Sequence, residues 1–268
     1  MLALDRCHLT IGVYMILATL MNSLRRYVGY SDPGLDRLCP LISDPNYYVL
    51  KSVKKAILRF TERYLNGREG LTFLDYGCGD APYETLFGPY AAHYLKADLK
   101  DNINVHISFE SGEKLSVNDE SCDIVLSFSV LEHVQDVDGY LKEAYRILGP
   151  EGELIVTTHG TWQYHPHPLD LRRWTSSGLK YEIEKNGFQV VDMIPCVSHF
   201  AYGTLMRCKW IVDKYINPIG RPGKILKILI VPVYQLKIYI EDMLTEEKYK
   251  MHNSLIYVLY AKKSTYNV

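Results

Sequence analysis

The chain has 268 residues, 47% of them hydrophobic, which suffices for one large α/β domain with additions and does not require two. Its 30 basic and 31 acidic side chains leave a formal net charge of −1, mixed along the chain, which speaks against nucleic acid or any strongly charged partner. Six cysteines, Cys7, Cys39, Cys78, Cys122, Cys196 and Cys208, include no C-x-x-C pair and no regular spacing; this argues against a zinc site or a disulfide framework and for a reducing, cytoplasmic setting.

Taken in order, Cys7 to Leu24 contains no Asp, Glu, Lys or Arg and is flanked by Arg6 and by Arg25-Arg26. A spanning helix needs about 20 predominantly apolar residues, and His8, Thr10, Gly12, Thr19 and Asn22 interrupt this run. Three readings stay open: a helix packed on the core or a second subunit, an interfacial membrane contact, or a span. No small-residue cleavage site follows, so a signal peptide is not expected. Residues 1–45 read as a helical extension whose end is broken by Pro33, Gly34, Pro40 and Pro45. Asn46 to Leu65 carries Val49, Leu50, Val53, Ile57, Phe60 and Tyr64 on one helical face.

Phe73 to Ala81 follows as a short apolar strand feeding a turn with two glycines, Gly77 and Gly79, and delivering Asp75 to the strand end. One βα unit later a second strand, Tyr94 to Leu99, presents Asp98 where an acid meets the ribose hydroxyls of a nucleoside cofactor. The third glycine of a dinucleotide fingerprint is replaced by Pro82, so a pyrophosphate is not the favoured guest. A third strand is expected at Val105 to Ile107 and a doubly buried fourth at Asp123 to Phe128, whose end carries Ser127, Phe128 and Ser129 to the ligand-binding edge. A helix from Val137 should stop at Gly149-Pro150, before a fifth strand at Glu153 to Thr158. A helix at Ser176 to Lys185, with Thr175 as N-cap, leads to a sixth strand at Phe188 to Ile194. Residues 197–250 break the alternation, and Pro232 is expected to divide their apolar stretch from Gly223 to Leu244 into two short pieces. The last strand is Ser254 to Ala261.

The D-x-G-x-G turn, Asp98, and the run from Cys122 through Leu131-Glu132-His133-Val134 together resemble the class I S-adenosylmethionine-dependent methyltransferases, in the branch often called type 11. The resemblance covers roughly residues 45 to 195 and the last strand. It implies a Rossmann-like fold: a seven-stranded, mostly parallel sheet with helices on both faces and an antiparallel last strand. It also implies a core at residues 46–196, an inserted segment at 197–250, and a closing strand and tail at 251–268. S-adenosylmethionine would be the cofactor and S-adenosylhomocysteine the product. The implied cofactor contacts are Asp75, Tyr76, Gly77, Cys78 and Gly79 at the methionine half, Asp98 and Leu99 at the ribose, and Ser127, Phe128, Ser129 and His133 lining the cleft. Ser111 stands where relatives carry an acid near the adenine; a hydroxyl there can still hydrogen-bond.

Methylation of a hydroxyl needs something to take its proton. His159 at the end of the fifth strand, and His165 and His167 in the loop beyond it, are the candidates, since imidazole titrates near neutral pH. His165-Pro166-His167 with Asp170 also has the donor types of a zinc or iron site; the flanking prolines and the family's chemistry make no metal the expectation. Arg172 and Arg173 serve either the acceptor loop or a scaffold salt bridge. The expected reaction is methyl transfer to a small-molecule or glycan-type acceptor, on oxygen. Carbon methylation of a quinone-like ring and a non-catalytic cofactor-binding subunit are the alternatives. The 197–250 block is a lid, a contact with a second copy, or a peripheral membrane contact using Lys224, Lys227 and Lys237.

Overall fold

The computed structural model describes residues 33–264, so the apolar run at 7–24 lies outside the described residues. Seven strands form one sheet: β1 (Leu71–Tyr76), β2 (Ala91–Leu99), β3 (Ile107–Phe109), β4 (Cys122–Phe128), β5 (Leu148–His159), β6 (Phe188–Ser198) and β7 (Ser254–Lys263). Their order is β3-β2-β1-β4-β5-β7-β6. The first five pair in parallel, and β7 runs antiparallel to both β5 and β6. The order reverses between β1 and β4, the position where open α/β sheets bind ligands beyond the carboxyl ends of the strands.

One face is covered by α1 (Pro33–Leu38) and α2 (Tyr47–Phe60), the latter continuing as a π-helical turn to Leu65. Val53, Ile57 and Phe60 pack there against Phe73, Ile124, Leu126 and Tyr260. The short α3 (Glu84–Phe87) adds Phe87 to the same layer. On the other face α4 (Val137–Ile147) and α5 (Ser176–Lys185) set Leu141, Ala144, Leu179 and Ile183 against Leu74, Val125 and Val156. Each fully buried aliphatic or aromatic side chain contributes roughly 1.5–3 kcal/mol relative to exposure, so these two layers hold the sheet. The Thr175 hydroxyl caps α5 by accepting from Gly178 N.

Three departures from the expected layout have a local cause. Pairing of β3 starts at Ile107 rather than Val105, because the His106 side chain takes the Lys96 N–H at its Nδ1 (3.0 Å) while its own N–H bonds Lys96 O. Gly149-Pro150 lies inside β5 instead of separating helix from strand. Cys122 pairs with Leu148 and Ile124 with Glu153, so the intervening stretch faces a register shift where proline removes no ladder bond. Pro232 does not divide its segment either. After β6 come α6 (His199–Ile211), extended as a π-helix to Ile216, then α7 (Arg221–Leu244) and α8 (Glu247–His252), and α7 runs unbroken through Pro232. Proline removes only one helical hydrogen bond, and Val231, Gln235 and Ile238, buried on either side of it, hold the helix to the domain.

Candidate active site

The two glycines of the first turn do different work. Both have positive φ, +76° at Gly77 and +53° at Gly79. A Cβ on Gly77 would lie 2.8 Å from Val130 Cγ2, so Gly77 is required for the turn to close on the segment after β4. A Cβ on Gly79 would meet nothing within 4 Å, so that side of the turn faces open space. The Gly77 and Cys78 N–H groups bond Ala97 O, and Cys78 is buried, with its thiol pushed up chiefly by desolvation.

Asp98 ties the turn to the end of β2. Its Oδ2 accepts from Gly79 N (2.9 Å) and from Asn102 Nδ2 (2.9 Å), and its Oδ1 accepts from Leu99 N (2.8 Å). Asn102 Nδ2 also reaches Gly79 O at 2.8 Å. Asn102 is a contributor that the sequence did not single out; no motif marks it.

Asp75 is buried at the end of β1. Its Oδ2 accepts from Tyr94 Oη at 2.7 Å, whereas its buried Oδ1 has no hydrogen-bond partner among the described residues. Burial pushes this carboxyl up to about 7, with the charges of Asp98 and Glu84 adding to the rise.

Two of the other expected contacts, Tyr76 and Ser127, are turned into the core. The Tyr76 ring stacks on Tyr140 in the core at 4.0 Å between centroids, and the Ser127 hydroxyl is fully buried 2.9 Å from Tyr140 Oη. Strand alternation turns both side chains towards α4, away from the open side of the turn. Phe128 packs edge-on against Tyr83 (5.0 Å), and Ser129, in a left-handed conformation, donates its N–H to Thr157 O. Ser111 is exposed in the turn after β3, and Leu99 is half-buried at the end of β2.

The histidines converge on a residue that the sequence quoted only as part of a motif. Glu132 is fully buried; its Oε1 contacts His159 Nδ1, and its Oε2 accepts from Thr158 Oγ1 at 2.7 Å. Burial pushes the Glu132 carboxyl up, but the hydrogen bonds from His159 and Thr158 and the charge of His159 outweigh it and leave it below the ordinary range. Trp162 stacks over His159 at 5.2 Å, and His165 meets His159 edge-on at 4.7 Å. His133 lies 5.1 Å from His165 between ring centroids and contacts Leu169 O through Nδ1. Desolvation holds the His165 imidazole below its usual value, with His159 adding to the effect. His167 is exposed, 6.5 Å from His133, on the outside of the cluster.

Glu132, His159 and His165 offer ligand-type atoms within 4.8 Å of one another. Asp170 does not join them, because Arg173 takes both of its oxygens at 2.6 and 2.7 Å and His165 N donates to it. Arg173 is thus the scaffold salt bridge, and Arg172 bonds the backbone carbonyls of Val134 and Gln135. Beyond the cluster, a cleft of about 560 Å³ is lined by Gln163, Met206, Lys209, Trp210, Asp213 and Lys214.

This sheet order, with an acid and an open glycine turn at the reversal point, defines a Rossmann-like nucleoside-cofactor enzyme class. The methyltransferase-domain family matches residues 48–192, more than half of the chain, and the protein belongs to the class I S-adenosylmethionine-dependent methyltransferases. It is 24% identical over 174 residues to a "Probable S-adenosylmethionine-dependent methyltransferase" of Mycolicibacterium smegmatis, covering 59% of this chain and 66% of that protein. It is 29% identical over 103 residues to a ubiquinone biosynthesis O-methyltransferase of a Chelativorans species, covering 34% of this chain and 41% of the relative. The chain therefore spans about two fifths to two thirds of the length of these relatives. Among solved structures, the [4+2]-cyclase SpnF superposes with a TM-score of 0.52 at 17% identity, covering 80% of this chain and 81% of that one. Phosphoethanolamine N-methyltransferase 2 of Haemonchus contortus, solved with S-adenosylhomocysteine, does so with a TM-score of 0.50 at 15% identity, covering 84% and 60%. At these identities the likeness is one of fold.

Proposed function

We propose that the protein transfers the methyl group of S-adenosylmethionine to an oxygen of a small-molecule or glycan-type acceptor, using Glu132 and His159 to remove the acceptor proton. The residues at the turn fit this cofactor. Gly79 leaves room on its open side, Asp98 keeps acceptor capacity on Oδ1 for ribose hydroxyls, and the unpartnered Oδ1 of Asp75 can accept from the cofactor's ammonium group. Bound there, the cofactor supplies an electrophilic methyl.

The observation that carries the reading is the contact between buried Glu132 and His159. Val130, which packs on Gly77, precedes Glu132 by two residues, so one segment supplies both the turn's neighbour and the pair's carboxylate. With Nδ1–H donated to Glu132, His159 presents Nε2 to the acceptor hydroxyl. There Nε2 would take the acceptor hydroxyl's proton as its oxygen receives the methyl group that the cofactor would supply, with S-adenosylhomocysteine as the leaving product. His165, whose imidazole desolvation holds below its usual value, lines the approach, and His167 stands at its outer rim. The relatives known as O-methyltransferases favour oxygen as the atom methylated. SpnF carries a different named reaction on this fold, so the reading rests on the residues rather than on the fold.

The test is a panel of phenolic, catecholic, sugar and quinone-like acceptors, followed by formation of S-adenosylhomocysteine. His159→Asn and Glu132→Gln should lower turnover by about a hundredfold or more while leaving S-adenosylhomocysteine affinity unchanged. Variants as active as the parent, or a product methylated on carbon, would contradict the reading.

A further inference from the structure

Helix α7 is built inside out. Its inward face carries Gln235, Glu241 and Asp242, all buried. Gln235 accepts from Tyr48 N (3.0 Å) and donates to Pro45 O (2.9 Å); Asp242 accepts from Ser198 N (2.7 Å) and Tyr48 Oη (2.9 Å). The outward face carries Ile225, Leu229, Val233, Leu236, Ile240 and Met243, each between 41% and 66% exposed. At 100° per residue these six fall within a quarter-turn of one another and form one stripe along a helix of about 36 Å. A stripe of this length exceeds what monomeric surfaces leave open without a partner.

The charges around the stripe say what covers it. Arg221 and Lys237 fall on opposite flanks, and Lys237 also pairs with Glu241 at 3.7 Å. The only acids of the helix, Glu241 and Asp242, are turned inward. An apolar stripe flanked by cations, with no acid on its outward face and lying along the surface, is the pattern of a helix that sinks into the headgroup boundary of an anionic bilayer. No helix among the described residues is long and apolar enough to cross a membrane, so the contact is in-plane. The run from Cys7 to Leu24 is the alternative cover from within the chain, but it contains no Asp or Glu to meet the flanking cations.

We infer that α7 docks the protein on an anionic lipid surface. The aromatic side chains Trp210 and Tyr215, on α6 and its extension, are also exposed, and α6 packs against α7. The cleft lined by Met206, Lys209 and Trp210 starts on that helix and reaches Gln163, whose carbonyl lies 3.1 Å from His165 Nδ1. An acceptor carried on a lipid chain would then enter from the membrane side. This last step rests on the proposed function; the lipid contact does not.

Flotation of purified full-length protein with vesicles of phosphatidylglycerol and phosphatidylcholine, against phosphatidylcholine alone, tests the inference at low salt. The protein should float with the anionic vesicles and not with the neutral ones. L229E/L236E should lower the partition coefficient by about tenfold or more with an unchanged circular dichroism spectrum, and R221Q/K237Q should lower it in a salt-sensitive way. Control substitutions I16E/L20E, in the N-terminal run, should leave anionic-vesicle binding in place. Protein that stays in the soluble fraction, or binding lost only in I16E/L20E, overturns the inference. So does a dimer in light scattering that the stripe substitutions convert to a monomer, which would assign the face to a second copy.

Discussion

Glu132 and His159 meet through Oε1 and Nδ1 inside the carboxyl edge of the sheet, joining the segment after β4 to the last residue of β5. The contact is buried on both sides, and Thr158 Oγ1 occupies the other carboxylate oxygen. Removing one partner leaves an uncompensated buried group, so Glu132→Ala should cost about 3–5 kcal/mol of stability, read as the loss in denaturant midpoint. Glu132→Gln, which keeps the shape, should cost less and show its effect in turnover.

The same pair sets a pH dependence. The Glu132 carboxyl is lowered in the folded protein, so its contribution is present above the ordinary carboxylate range and lost as pH falls through its folded value. A thermal denaturation series in acid should show the parent losing stability more steeply than Glu132→Gln. Parallel curves would mean that Glu132 is not held ionised.

Asp75 works in the opposite sense. Its carboxyl is raised to about 7 by burial, so the folded state binds the extra proton, and the associated stability is lost as pH rises towards that value. A cofactor ammonium needs the ionised form. Affinity for S-adenosylhomocysteine should therefore fall by about tenfold between pH 8 and pH 6, and Asp75→Asn should flatten the profile, as measured by calorimetry.

Asp98 holds the turn, and in the proposed reading it also meets the ribose hydroxyls. Hydrogen bonds to a charged partner contribute about 1.5–3 kcal/mol each. Asp98→Ala should thus weaken S-adenosylhomocysteine binding by at least about tenfold, with faster amide exchange at Gly79 as a second sign. Unchanged affinity would remove Asp98 from the site.

The two glycines should separate cleanly. Gly77→Ala drives a Cβ into Val130 at a positive φ, and strain of about 1–3 kcal/mol should appear as lost thermal stability. Gly79→Val points into open space; it carries a backbone penalty of its own, but its main effect should be loss of cofactor binding in a protein that still melts cooperatively.

Periodicity and turn chemistry carried most of the core. The strand runs around Asp75, Leu99 and Phe128 and the capped helix at Ser176 were legible because each is a local signal. What could not be read is what depends on partners distant in sequence. Ser127 looked like an edge residue, and its burial against Tyr140 follows from which strand face meets α4. Glu132 was visible only as a motif letter, because its meeting with His159 spans 27 positions of sequence. Asp170 resembled a metal ligand until Arg173 claimed both of its oxygens. Pro232 read as a break, and only the buried side chains around it show why the helix continues.

Calorimetric titration of the full-length protein with S-adenosylhomocysteine, with NADH as the competing ligand class, tests the central claim most directly. Saturable one-to-one binding of S-adenosylhomocysteine that Gly79→Val abolishes, with no heat from NADH, is the predicted result. Binding of NADH with none of S-adenosylhomocysteine, or S-adenosylhomocysteine binding that Gly79→Val and Asp98→Ala leave untouched, would contradict it.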